Sequence, residues 1–142
     1  MAELLGRGYN VAVPSVDIGD DVYVVEDREG NLIRVQVKSS ICRDQRGGFT
    51  GQARMKIAQL KESKKTRLIY VFALRYKKKW NYLVIGKDQL EEQAFLKDAG
   101  YKSGKYISFT FHYRLSMRKW LCGASWDVTP YANWDTEFPR QI

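Results

Sequence analysis

The chain has 142 residues, of which 44% are hydrophobic and 13% aromatic, and its formal net charge is +8. This length allows one sizeable core, so we expect a single domain over residues 1–142. No apolar stretch approaches the length of a membrane span, and the first residues lack a secretory pattern, which points to a soluble, cytoplasmic protein. Two cysteines without CxxC spacing and one histidine argue against a disulfide framework and a structural zinc site.

The charge is distributed unevenly along the chain. Residues 34–79 contain fourteen Lys or Arg against two acids, a local net charge of +12. Residues 1–33 have a net charge of −5, and residues 80–142 are almost neutral at +1. An acidic first part beside a basic middle is typical of a protein that binds a polyanion and a metal ion. Ordinary solubilising charge is the alternative interpretation.

The first elements in chain order are a short helix, a strand and a hairpin. Residues 2–7 have a helical pattern that ends at Gly8, and residues 9–13 then favour a strand. The hairpin follows, with β-branched strands at residues 22–25 and 32–39 and a turn-rich segment between them. We expect this hairpin to be the functional centre of the chain.

Three polar side chains of the hairpin are expected to share a pocket. Because strand side chains alternate, Gln36 and Lys38 lie on one face, and antiparallel pairing brings Asp21 near them. A carboxylate and an amide oxygen suit Mg²⁺, and the ammonium can stabilise a phosphate or orient the attacking water. Asp17 and Asp20 are expected to shape the preceding turn, although either could contact the metal through water. The alternative to a site for phosphodiester cleavage is a charged hairpin with a solvated face.

The same residues resemble a nuclease family. The segment from Pro14 to Val25, followed by Arg34-Val-Gln36-Val-Lys38, resembles the PD-(D/E)xK nuclease superfamily, in the branch where glutamine replaces the middle acid. Within that branch it is similar to cyanobacterial group I intron homing endonucleases and their uncharacterised relatives. The resemblance implies a restriction-endonuclease-like αβββαβ core, in which a central mixed β-sheet is flanked by helices. It also implies that Asp21, Gln36 and Lys38 are catalytic and that Asp21 and Gln36 bind Mg²⁺.

Basic side chains follow the hairpin. Residues 39–48 are polar and contain glycine, so we expect a mobile loop that either contacts DNA or is a solvated connection. Residues 49–57 alternate strictly and predict a half-buried strand whose polar face extends the basic surface, although alternation alone requires only solvent there. The candidate DNA-binding residues are Arg43, Arg46, Gln52, Arg54 and Lys56.

The remaining elements complete an α/β pattern. Helices are predicted at residues 58–64 and 89–99, and strands at residues 67–75, 80–85 and 106–113. His112 alternates with the apolar positions of the last strand, so we expect it to face outward without a catalytic role. Residues 114–142 are rich in Trp and Tyr but weakly periodic, and predict an extension that wraps over the core as an irregular segment or short helix.

These features predict an α/β, Mg²⁺-dependent DNA endonuclease that acts on double-stranded DNA, with a homing-type recognition site implied by the resemblance. A catalytically inactive nucleic-acid-binding module of the same fold is the first alternative, which the neutral Gln36 favours. A structural or partner-binding domain is the second. Because cutting both strands of a duplex requires two sites, we expect a homodimer or a dimer of dimers, with contacts from the aromatic region after Tyr106.

Overall fold

A computed structural model describes residues 1–15, 19–26 and 30–141. Helices α1 to α3 span Ala2–Gly6, Ile57–Lys61 and Lys87–Leu96. Strands β1 to β11 span Asn10–Ala12, Val22–Glu26, Asn31–Ile41, Arg43–Gln45, Gly48–Lys56, Leu68–Tyr76, Lys79–Gly86, Tyr101–Ser103, Tyr106–Arg114, Lys119–Cys122 and Trp126–Asp127. Asp17 and most of the turn between β2 and β3 lie outside the described residues.

The first sheet contains the hairpin and has the strand order β1-β2-β3-β6-β7. Its strands pair antiparallel except for β3 and β6, which pair in parallel from Arg34 beside Leu68 to Ile41 beside Arg75. A parallel pair needs a crossover, and here the connection includes α2. Along the chain, the strands of this sheet and the helices next to them therefore follow the order α1, β1, β2, β3, α2, β6. The expected mixed α/β fold with an αβββαβ core is confirmed.

The second sheet has the order β11-β10-β9-β5-β4, with β8 also paired to β9. Its β4–β5 hairpin lies in sequence between β3 and α2, where we expected a loop at residues 39–48. That expectation is wrong: β3 continues to Ile41, and the Cys42 amide donates to the Arg75 carbonyl at 2.7 Å before β4 begins. The three residues of β4 are all exposed because the strand lies at the sheet edge, and a polar edge strand has the composition of a loop.

Two cores cover the two faces of the first sheet. The larger core lies between the sheets and includes Phe72, Phe109 and Phe111, each fully buried. The alternation predicted for residues 49–57 and 106–113 is confirmed, since the inward positions of β5 and β9 are the buried ones. On the other face, Leu4 of α1 and Phe138 near the carboxyl end pack against the sheet in a smaller core.

The carboxyl-terminal segment differs from the expected irregular wrap. It first adds β10 and β11 to the second sheet, and Trp120 of β10 is buried in the larger core. It then returns to the first sheet, where Arg7 Nη1 donates to the Phe138 carbonyl at 3.0 Å and the Tyr9 hydroxyl donates to the Pro139 carbonyl at 2.8 Å. Among the described residues, no helix is long and apolar enough to cross a membrane.

Gly51 lies where β5 packs against the first sheet. A Cβ at this position would lie 2.9 Å from Cys42 Sγ and 3.1 Å from Leu74 Cδ2. We expect Gly51→Ala to lower the free energy of unfolding by about 1–3 kcal/mol, because both buried side chains must shift. Urea unfolding checks this, with Gly6→Ala as the control, since a Cβ on Gly6 meets nothing within 4 Å. Equal unfolding midpoints for the parent and Gly51→Ala would contradict the expectation.

Candidate active site

The Asp21 carboxylate is fixed to the middle of β3. The Asp21 amide donates to the Val35 carbonyl at 2.9 Å, and the Val37 amide donates to Asp21 Oδ2 at 2.6 Å. The backbone bond extends the β2–β3 pairing by one residue beyond Val22 and Val35, so Asp21 lies opposite Gln36, and the second bond ties the Asp21 side chain to β3. The exposed carboxylate is therefore held beside the segment that carries Gln36 and Lys38.

Gln36 and Lys38 lie on one face of β3, as the alternation predicts. They pair in register with Tyr70 and Phe72 of β6, whose side chains belong to the larger core. Gln36 is only 6% exposed, whereas Lys38 is half-buried. The Gln36 side chain is thus buried, and that of Lys38 remains partly accessible to solvent.

A second glutamine reaches the same place from α2. A Cβ on Gly19 would lie 3.8 Å from Gln36 Nε2 and 3.4 Å from Gln59 Nε2, so both amides approach the Gly19 backbone. Gly19 has φ +88°, a conformation that glycine adopts without strain. The sequence gives no local signal for Gln59, because only the crossover between β3 and β6 places α2 over the site.

Asp20 pairs with Arg34 beneath the site. Asp20 Oδ1 lies 3.6 Å from Arg34 Nη1, and the two side chains are only 6% and 9% exposed. Arg34 Nη2 also donates to the Thr66 carbonyl at 3.1 Å. Asp20 therefore lies shortly before β2 as the ion-pair partner of Arg34. Of the two roles expected for Asp20, this pairing fits a structural role better than a contact with a metal.

The Tyr70 hydroxyl is buried, and the charge of Arg34 acts on it. Burial raises the pKa of its phenol to about 12, with a smaller opposing contribution from the Arg34 charge. The Tyr70 hydroxyl and Arg34 Nε are buried and, within the described part of the chain, have no hydrogen-bond partner. The phenol therefore stays protonated at neutral pH, and it can act there only as a neutral hydrogen-bonding group.

The donor set around Asp21 fits Mg²⁺. Within residues 1–15, 19–26 and 30–141 there is no group of three or more His, Cys, Asp or Glu that could hold a metal ion. Mg²⁺ is commonly bound through one or two carboxylates while it keeps several waters. One carboxylate from Asp21 and the amide oxygen of Gln36 meet that requirement with few protein ligands. Gln59 could supply a further amide oxygen.

The candidate DNA-binding residues lie on or next to the outer face of the second sheet. Arg43, Gln52, Arg54 and Lys56 are exposed on β4 and β5, and Arg46 is exposed in the turn between these strands. Gln52 Nε2 donates to Thr110 Oγ1 on β9 at 3.1 Å. The Arg54 guanidinium lies 3.8 Å above the Tyr106 ring, which keeps its charge on this face.

This basic face is joined to β3, the strand that carries Gln36 and Lys38, through Ser40. The Gln52 amide donates to Ser40 Oγ at 3.3 Å, and Ser40 is the next residue after Lys38 on the same face of β3. A groove of about 390 Å³ opens at this junction, and Arg43 and Thr110 lie among its lining residues. A bound polyanion could therefore contact the basic face and approach Lys38.

His112 is placed on the outer face of the second sheet, as expected. Its Nδ1 lies 2.7 Å from Gln45 Oε1 across the sheet. Partial burial, and to a lesser extent the Arg114 charge, lowers the pKa of the imidazole below its ordinary value. His112 is therefore neutral at pH 7, and its contact with Gln45 joins β9 to the edge strand β4.

No protein-family model and no curated protein matches the chain. Solved structures that overlap its fold include the following two. One is Hjc, a Holliday junction resolvase from the hyperthermophilic archaeon Archaeoglobus fulgidus, at 9% identity over 75% of this chain and 74% of that chain, with a TM-score of 0.44. The other is the bacterial homing endonuclease I-Ssp6803I, at 21% identity over 75% of this chain, with a TM-score of 0.44. The chain covers 64% of that endonuclease.

Proposed function

We propose that the chain is a Mg²⁺-dependent DNA endonuclease of the PD-(D/E)xK type, formed by residues 1–142 as one domain. The observation that carries this proposal is the hydrogen bond from the Val37 amide to the Asp21 carboxylate. This bond holds the Asp21 carboxylate against β3, at Val37 between Gln36 and Lys38, and β3 pairs in parallel with β6. Both cysteines are free and buried, which suits a reducing cytoplasm.

Each side chain of the site has a chemical role. Asp21 and Gln36 would hold Mg²⁺, which supplies Lewis-acid activation of the phosphate and of the attacking water. Lys38 lies at the open side of the pocket, where its ammonium stabilises the charge that develops on the attacked phosphate or orients the water. Gln36 is neutral, and the neighbouring Asp20 carboxylate is paired with Arg34, so Asp21 would be the one charged ligand of the metal.

Double-stranded DNA is the proposed substrate. The exposed basic side chains of β4 and β5 are spread over a sheet face that adjoins the site, and they can contact several phosphates at once. A long, homing-type recognition site is the finer form of this proposal. It is tested by cutting random and natural DNA and comparing the number of discrete fragments.

The proposal is tested with supercoiled plasmid DNA. We expect nicked and linear products with Mg²⁺ and no products with EDTA. Gln36→Glu should keep measurable cleavage, since it replaces one oxygen ligand by another. Plasmid that stays supercoiled with Mg²⁺, although the protein shifts it in a gel, would favour the second candidate function instead.

That second candidate is a nucleic-acid-binding module without catalysis. It is favoured by the neutral Gln36 and by the lack of a cluster of three acidic or other metal-ligating residues in the part of the chain that the structure describes. Such a module would keep the basic face and its dependence on salt. Only the cleavage assay separates the two functions.

DNA binding should weaken steeply with salt, because each phosphate contact releases condensed counterions. We expect Arg54→Ala and Lys56→Ala each to lower the slope of log affinity against log salt by about 0.9 if the side chain neutralises one phosphate. Fluorescence anisotropy with a labelled duplex in EDTA measures the slope. Lys97→Ala, at the end of α3, is the control that removes the same charge away from this face. Unchanged slopes for Arg54→Ala and Lys56→Ala would exclude this face as the DNA interface.

A homodimer is proposed because one site cuts one strand, and a two-fold axis places a second site on the other strand. The region after Tyr106 is expected to supply its contacts, because it carries little net charge and is rich in Trp and Tyr. Trp120 is buried in the larger core, whereas Trp126, Tyr131 and Trp134 are only partly buried. The dimer and its contacts therefore stay a prediction. Sedimentation equilibrium should give twice the chain mass, and a monomer that makes double-strand breaks would contradict it.

A further inference from the structure

An aromatic cavity opens at the edge of the first sheet, away from the proposed active site. It measures about 220 Å³. Its lining residues, here called the Trp80 pocket, are Trp80, Asn81, Tyr82, Trp120, Ala132 and Trp134. Trp80 and Tyr82 are on the edge strand β7 and are 43% and 39% exposed. The pocket is smaller than the roughly 300–1,000 Å³ of sites for drug-sized ligands, so it suits a single planar group.

The exposure of Trp80 follows from the strand register. Ile41, Arg75 and Trp80 form a row across β3, β6 and β7, and paired residues share a face. This row lies on the face opposite Gln36 and Lys38. The smaller core covers the other end of that face, and the Trp134 ring of the carboxyl-terminal segment lies 5.6 Å from the Tyr82 ring. Trp80 therefore presents an aromatic surface that is not needed for the core.

Positive charge lies beside this aromatic surface. The Arg75 guanidinium lies 5.9 Å from the centre of the Trp80 ring, and the exposed Lys78 lies in the turn before β7. Lys79 pairs with Tyr76, and Lys77 Nζ lies 5.2 Å from the Tyr76 ring, so these two lysines lie toward the other face. Neither Arg75 nor Lys78 takes part in the ion pairs found between described residues. Such a surface repels a cationic ligand, and it also disfavours a two-fold contact between identical copies, which would bring like charges together.

We propose that the Trp80 pocket binds an unpaired nucleobase of a single-stranded DNA segment, with Arg75 and Lys78 on its phosphates. Every base has a face that stacks on aromatic rings, and a basic groove beside the rings tracks the backbone. The proposal deepens the proposed function and rests on it for the choice of DNA. It adds a single-stranded region to the substrate, bound at the β7 edge of the first sheet and away from the proposed active site.

The test measures binding of a fluorescein-labelled oligothymidylate and of a duplex of the same length. It is done in EDTA, so that cleavage plays no part. We expect Trp80→Leu to weaken oligothymidylate binding about 5- to 100-fold, the effect of losing one stacked base, with little change for the duplex. Trp80→Phe should retain most of the affinity, because it keeps an aromatic face. Leu96→Ala, which truncates another exposed apolar side chain, should change nothing.

Three results would overturn the proposal. One is equal oligothymidylate affinity for the parent and Trp80→Leu. Another is equal affinity for the parent and Lys78→Glu, a surface variant that decides the matter if Trp80→Leu does not fold. The third is conversion of a dimer to a monomer by Trp80→Leu, which would assign this surface to a second copy of the chain. Binding that depends on Trp80 without Mg²⁺-dependent cleavage would keep the pocket and reject the nuclease.

Discussion

Replacing Asp21 by Asn is expected to reduce Mg²⁺-dependent cleavage by about 10³-fold or more, the loss that follows when several kcal/mol of transition-state stabilisation disappear. The substitution removes the one charged metal ligand proposed for the site. It should leave the fold intact, because the Asn side-chain oxygen can still accept the hydrogen bond from the Val37 amide. DNA binding should stay within a few-fold of the parent, since the basic face is unchanged.

Single-turnover cleavage of a labelled duplex measures this loss. The matched control is Asp98→Asn, which removes the same charge from an exposed residue just beyond α3. Asp98 has φ +52°, a conformation that asparagine also tolerates, so the control adds no backbone strain. If Asp21→Asn cleaves as fast as Asp98→Asn, then Asp21 is not a metal ligand.

Much of the fold could be predicted because polar and apolar residues alternate along several of its strands. Residues 49–57 and 106–113 have one polar and one apolar face, and their burial in β5 and β9 follows that pattern. The hairpin with Asp21, Gln36 and Lys38 could be predicted for the same reason. Once β2 and β3 pair, the register puts Asp21 opposite Gln36.

The missed strands have a different physical character. β4 and β8 have only exposed residues, so their side chains give no apolar pattern, and they form because β5 and β9 offer unpaired backbone groups. β10 and β11 are short, and they follow a turn in which Arg118 has φ +52°. Sequence patterns record which side chains are buried, and these strands are defined mainly by backbone pairing.

The missed parts of the site depend on tertiary contacts. Gln59 reaches Gly19 only because the parallel pairing of β3 with β6 forces a crossover that contains α2. The pairing of Asp20 with Arg34 is likewise a tertiary contact, between the residue two positions before β2 and the side chain of Arg34 on β3. The sequence places an arginine on the polar face of the hairpin, but it does not show that this face is buried at Arg34.

The Asp20–Arg34 pair leads to the largest expected effect on stability. Both side chains are at least nine-tenths buried, so removing the carboxylate leaves a guanidinium charge without compensation. We expect Asp20→Ala to lower the free energy of unfolding by about 3–5 kcal/mol, which is the cost of breaking a buried ion pair from one side. The Thr66 carbonyl, which accepts a bond from Arg34 at 3.1 Å, is neutral and cannot replace the lost charge.

The double variant Asp20→Ala, Arg34→Met distinguishes an unpaired charge from a lost contact. Methionine fills a similar volume without a charge, so the double variant should regain most of the stability that Asp20→Ala loses. Urea unfolding of the parent, both single variants and the double variant gives the coupling energy of the pair. If the effects of the two single changes simply add, the charges do not interact, and Asp21 must be held in place by its own hydrogen bonds with Val35 and Val37.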